Sequence, residues 1–209
     1  EIECMPGATE GCGELDGTAT CELSDGIPYW ECVDGTPLVL SFDGAEPVMS
    51  DASAAAAFDV GTGGECIQTD WPAAETPWLA LDRDGSGTID GGHELFGSGT
   101  VLASGKRAKQ GFMALAELDS NGDGRITQRD ARFGELVLWA DHDRNKRSTA
   151  MEHESLGSRG IVGIELRWRN ETVCDERGNC GVERASFTFI GAGGRVSTGE
   201  VVDVHLACQ

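Results

Sequence analysis

The middle of this sequence is constrained above all by runs in which oxygen-bearing side chains alternate around glycine. The first is Asp82-Arg83-Asp84-Gly85-Ser86-Gly87-Thr88-Ile89-Asp90, and the second is Asp119-Ser120-Asn121-Gly122-Asp123-Gly124-Arg125-Ile126-Thr127. Glycine admits the left-handed conformation that a tight loop needs. Alternate positions of such a loop point their oxygens at one centre, and Ca2+ takes about six to eight of them. In the first loop, 82–94, Asp82, Asp84 and Ser86 are expected to offer side chains and Thr88 its carbonyl, with Asp90 acting directly or through water. The usual twelfth-position closing residue is His93 here, and Glu94 comes next, so Glu94 is the expected closing ligand of a loop stretched by one residue. Ile89 would pair with a neighbouring loop.

The second loop, 119–130, has regular spacing, with Asp119, Asn121, Asp123 and the Arg125 carbonyl as ligands and Asp130 closing it. Asp130 is shorter than the usual Glu, which predicts one-oxygen closure and a weaker or more magnesium-tolerant site. A third candidate, 141–152, offers Asp141, Asp143 and Asn145, with Arg147 at the carbonyl position and Glu152 closing it. Lys146 stands where glycine is wanted, at a cost on the order of 1–2 kcal/mol for a left-handed residue with a side chain. Arg144, Lys146 and Arg147 also add positive charge. The site is then either weak or a plain turn. The expected cofactor is Ca2+ at two sites, with the third left open.

Around these loops the periodicity changes. Pro37 to Phe42 predicts a strand, and short strand-like pieces such as Ala57 to Val60 follow it. Phe112, Leu115 and Ala116 repeat at helical spacing, as do Phe133, Leu136, Val137 and Ala140, so a helix over 130–140 would leave loop two and enter loop three. Val162, Ile164, Leu166 and Trp168 alternate as in a half-buried strand. Ala185, Phe187 and Phe189 do the same, as do Val202, Val204 and Leu206. The resulting expectation is an α+β fold of EF-hand-like helix–loop units combined with antiparallel strands.

The eight cysteines include no Cys-x-x-Cys pair, which removes support for zinc ribbons and thioredoxin-type sites. An even count at wide spacing predicts four disulfides formed in an oxidising compartment. Cys174–Cys180 is the one pairing that suits a local turn. Residues 1–32 hold four of the cysteines and form a Cys-rich segment that depends on its disulfides, while 33–209 form the calcium-binding domain. A net charge of −20 argues against nucleic acid and anionic membrane surfaces. No apolar run is long enough to span a bilayer, and Glu1 begins no signal peptide, as expected for a mature or trimmed form.

Taken in order, several stretches resemble a family of bacterial secreted calcium-binding modules found in large surface or exported proteins, including those of myxobacteria and acidobacteria. They are Pro37–Phe42, Ala57-Phe58-Asp59, Thr69-Asp70-Trp71, and Trp78 through Asp82 to Gly92-His93-Glu94-Leu95-Phe96-Gly97. Then come Gly111-Phe112 through Asp119, Leu138-Trp139-Ala140-Asp141, Gly160-Ile161, Arg177-Gly178-Asn179 and Val202-Asp203-Val204. The resemblance covers roughly 33–209 and leaves 1–32 outside. It implies calcium binding, export and the one-residue stretch of loop one, and no reaction.

Neither His153-Glu154 nor His93-Glu94 has the second histidine of a zinc protease helix, and no nucleophile elbow or phosphate loop occurs. The expectation is therefore a non-enzymatic, extracellular or cell-surface protein of bacterial origin. It would be a calcium-stabilised structural, adhesive or surface-assembly module whose partners are calcium and itself, other surface proteins or polysaccharide. A secreted hydrolase braced by calcium is the alternative. A calcium sensor opening an apolar groove fits poorly with four Met and several disulfides. Most of the tryptophans are expected in the core.

Overall fold

A computed structural model describes residues 35–50, 57–61 and 67–207. Before them it describes the backbone of three strands, β1 (Thr9–Gly11), β2 (Thr18–Ser24) and β3 (Ile27–Val33), which pair antiparallel in that order. The side chains of the remaining cysteines, and any disulfides among them, lie outside the described residues. Cys174 and Cys180 are disulfide-bonded, as the spacing predicts.

The body of the molecule is a nine-stranded antiparallel sheet. In chain order its strands are β4 (Leu38–Ser41), β7 (Trp78–Ala80), β8 (Arg125–Thr127), β9 (Val137–Trp139), β10 (His153–Ser155), β11 (Ile161–Glu165), β12 (Arg169–Cys174), β13 (Cys180–Ile190) and β14 (Val196–His205). The spatial order is β10-β9-β7-β4-β14-β13-β11-β8, with β12 pairing β13 from off this path. A small separate pair joins β5 (Met49–Ser50) to β6 (Trp71–Pro72). One short helix, α1 (Gly111–Ala116), stands among the described residues, capped by the Gln110 side chain accepting from the Phe112 and Met113 amides.

The EF-hand-like α+β expectation is overturned, because no long helices flank the acidic loops. The segment 130–140 forms a 3-10 turn, Phe133–Glu135, and then strand β9, whose Val137, Leu138 and Trp139 pair with Ala80, Leu79 and Trp78 of β7. Its helical spacing of apolar residues is real, but β9 lies between β7 and β10 and is hydrogen-bonded on both edges. Sheet partners distant in sequence override a local period. Residues 57–60 form no strand.

Alternation along the central strands builds two cores. Leu38 and Leu40 face one side with Leu79, Phe96, Phe112, Ile164, Phe187 and Val201. Val39 faces the other with Trp71, Trp78, Trp139, Val202 and Val204. Trp71 packs edge-on against Trp78 and Trp139 at ring separations of 5.1 and 5.4 Å. These three tryptophans are core residues, as expected, whereas Trp168 is 41% exposed. A bulge between Ile161 and Gly163 breaks the simple alternation expected of β11 and leaves Val162 exposed.

Candidate metal centres

The three acidic loops share one pattern of backbone hydrogen bonds, position by position. In loop one, Asp82 Oδ1 accepts from the amides of Gly85 and Ser86, and Oδ2 from Gly87. In loop two, Asp119 Oδ1 accepts from Gly122 and Asp123, and Oδ2 from Gly124. In loop three, Asp141 Oδ1 accepts from Asn145 and Oδ2 from Lys146. The third position repeats as well: Asp84, Asn121 and Asp143 accept from the amides of Ser86, Asp123 and Asn145. So does the fifth, where Ser86, Asp123 and Asn145 accept from Thr88, Arg125 and Arg147.

This wiring needs two left-handed residues per loop. They are Gly85 and Gly87, Gly122 and Gly124, and in loop three Arg144 (φ 58°) and Lys146 (φ 55°). Glycine takes that conformation freely, and a residue with Cβ does not. Lys146 is held there by its side chain. Its Nζ donates to the Thr69 carbonyl at 2.7 Å and lies over the Trp71 ring, in a 3% exposed position. Burial pushes its pKa down, opposed by the charges of Asp70 and Asp141. Lys146 therefore points away from the loop centre and ties loop three to the tryptophan cluster, which loop spacing alone did not reveal.

The closing carboxylates are buried and fold back over the loops. Glu94, fully buried, accepts from the Arg83 amide at 3.0 Å and the Asp90 amide at 2.8 Å. Asp130 accepts from the Ser120 and Thr127 amides, the equivalent positions of loop two. Glu152 accepts from the Thr149 amide and hydroxyl. Glu94 thus takes, from one residue further on, the place that Asp130 takes in its loop. Asp84 and His93 each bring a ligand atom within 4.8 Å of one from Glu94, and Asp141, Asp143 and Glu152 converge equally closely. Asp119, Asp123 and Asp130 of loop two do not converge to that degree among the described residues. Asp90 is exposed at the rim, and the Thr88 carbonyl accepts from the Ser86 hydroxyl.

Electrostatics differ between the loops. The Gly87 amide holds the Asp82 carboxyl below its ordinary value, against burial, with help from the Gly85 and Ser86 amides. Burial pushes Asp130 up, but the amides of Thr127, Ser120 and Asn121 together bring it below its ordinary value. Asp141 moves the other way: burial raises it, the Lys146 and Asn145 amides oppose that, and Asp143 and Glu152 add to the rise.

Loops one and three are joined. The Ile89 amide donates to Ser148 Oγ at 2.9 Å, and Ser148 also bonds His153 Nε2. Ile89 and Ser148 occupy the same position of their loops. Ile126, at that position of loop two, pairs instead with Ile164 of β11.

A second convergence lies outside the loops. Gly181 pairs Val204 and Arg184 pairs Val202, so Val182 and Glu183 bulge opposite the single residue Asp203. Asp203 and His205 share a face of β14. Ligand atoms of Glu183, Asp203 and His205 lie within 4.8 Å of one another, and Glu183 Oε2 is 3.1 Å from His205 Nε2. Asp203 is fully buried. Its Oδ2 accepts from the Gly111 amide, and its buried Oδ1 has no hydrogen-bond partner among the described residues. Burial pushes its carboxyl up to about 7, against the Gly111 amide and His205, with Glu183 adding to the rise and the Thr36 hydroxyl opposing it. Sequence reasoning missed this group. Its one local signal is the Asp203–His205 spacing of two on a strand.

The SPM domain family matches residues 38–207. A relative, the iron-regulated protein FrpA of Neisseria meningitidis serogroup C, is 39% identical over 143 residues, which is 68% of this chain and 13% of that protein. The chain therefore spans a small part of the relative's length. This match replaces the resemblance to an EF-hand-like bacterial calcium-binding module. Similar acidic loops arise on unrelated scaffolds because their demands are local, and here the loops sit on a sheet.

Proposed function

The chain belongs to the SPM domain family, and from that premise we propose that it is a cation-stabilised structural module of a secreted or cell-surface bacterial protein. Its acidic loops would take Ca2+, loops one and two as the expected pair and loop three as a further site. The observation that carries this reading is the repeated wiring of the loops: three separate stretches adopt one backbone, two of them on glycine and the third at the cost of two left-handed side-chain residues. In each loop a first aspartate gathers backbone amides and a buried carboxylate closes the loop. Loops dominated by oxygen donors suit a hard cation. The amide hydrogen bonds occupy only part of each carboxylate's lone pairs, which leaves acceptor capacity for an ion.

Calcium would brace the middle of the chain. Loop one follows β7, loop three follows β9, and those two strands are paired. An ion in either loop thus stiffens the same part of the sheet. At a concentration tenfold above its dissociation constant, each site adds about 1.4 kcal/mol to stability. Its partners would be further copies of the module, other surface proteins or polysaccharide, and its role structural rather than catalytic.

The test is a calorimetric Ca2+ titration of the chelator-stripped, oxidised protein, with thermal melts alongside. The expected result is two or three binding events and a rise of several degrees in melting temperature, with a smaller rise for Mg2+. An absence of binding heat together with an unchanged melting temperature would overturn the reading.

A further inference from the structure

We propose that Glu183, Asp203 and His205 form a second kind of metal site, selective for a first-row transition cation such as Zn2+ and independent of the acidic loops. The donor set is mixed. One imidazole nitrogen with two carboxylates is a borderline combination that suits zinc, iron(II) or manganese(II), whereas the loops are dominated by hard oxygens, with His93 converging on Asp84 and Glu94 at loop one. The geometry is of the right size. Zinc bonds of about 2.0–2.1 Å imply ligand-to-ligand edges of about 3.3 Å in a tetrahedron. Glu183 Oε2 and His205 Nε2 are already 3.1 Å apart, and the third ligand atom lies within 4.8 Å of both.

One buried oxygen of a member of the cluster lacks a partner among the described residues. Asp203 is fully buried in β14, and its Oδ1 has no hydrogen-bond partner among the described residues. A buried carboxylate oxygen left in that state costs free energy that a cation recovers. The bulge at Val182–Glu183 is what sets Glu183 opposite Asp203; in an unbroken ladder one fewer residue of β13 would span this stretch of β14. Bulges of this kind re-aim side chains beside functional sites. Approach from solvent is open, since the His205 and Glu183 side chains are 23% and 13% exposed. Three protein ligands leave the fourth position of a tetrahedral ion for water or an external ligand.

The probe is Zn2+, titrated into the whole oxidised protein and into His93→Ala, both with Ca2+ in large excess, so that the loops are filled by Ca2+ and a zinc held by Asp84, His93 and Glu94 is told apart. The expected result is one Zn2+ per chain, weakened at least tenfold in His205→Ala and in Glu183→Gln. The zinc-edge X-ray absorption of the loaded protein should report one nitrogen neighbour and oxygens at bonding distance. Glu183→Gln keeps the side-chain volume and guards against a variant that fails to fold, as checked by its melting curve. Zn2+ that excess Ca2+ displaces, or that both variants bind unchanged, is an adventitious ion only and overturns the proposal. So does an absence of binding. A protein that binds Zn2+ here but no Ca2+ would keep this site and sink the calcium reading, and the converse result would do the opposite.

Discussion

At the scale of single residues, loop three shows what a left-handed turn demands of the side chain placed in it. Arg144 and Lys146 hold the same conformation, but only Lys146 has compensating contacts, through Thr69 and Trp71. Arg144 is exposed. Arg144→Gly should therefore stabilise the protein by about 0.5–1 kcal/mol, the relief of strain less the glycine entropy. Lys146→Gly should destabilise it by about 1–3 kcal/mol by removing a buried charged hydrogen bond. Urea unfolding of both variants checks the opposed signs. The loop residues were legible in the sequence because their constraint is local: Asp82, Asp119 and Asp141 each gather amides no more than five residues away. Glu183, Asp203 and His205 were not legible, because a sheet register and a bulge bring them together and neither leaves a fixed sequence spacing.

At the scale of elements, β13 and β14 carry the sheet, and Arg184 is their buried cation. Only 2% exposed, it donates to Glu200 at 2.9 Å, to Glu46 at 2.6 Å and to the Glu171 carbonyl at 2.8 Å. Removing one partner of a buried ion pair strands the others. Arg184→Met should cost about 3 kcal/mol in chemical denaturation, and adding Glu200→Gln should restore part of it. At the tip of the β12–β13 hairpin, burial pushes Asp175 up, but the Asn179 side chain and amide and the Arg177 amide outweigh it and lower the carboxyl below its ordinary value. A lowered carboxyl contributes stability above its unfolded value and loses it as pH falls through the folded one. Asp175→Asn should accordingly flatten the loss of stability below about pH 4 and change little near neutrality, as acid melts would show. The strands β13 and β14 were legible from their alternation. β9 was not, because its apolar residues fit a helical period while its hydrogen-bond partners, β7 and β10, come from separate parts of the chain.

At the scale of the whole molecule, acidic loops of this spacing suggested helices because the two so often occur together, yet nothing in a loop's hydrogen bonds requires a helix on either side. Here β7 and β9 lead into loops one and three, and only the short α1 precedes loop two. The fold class was thus the least legible feature, since it depends on how distant strands pair. β4 lies antiparallel to β14, with Leu38 opposite Asp203, and the Val204 and Leu206 amides donate to the Pro37 and Gly35 carbonyls. The polypeptide therefore comes in and goes out at the same end of one strand pair, like the two leads of a plug. A tensile load on the two leads would fall on this pair first and part its hydrogen bonds in succession, so that, under strain, the unit would yield from that seam.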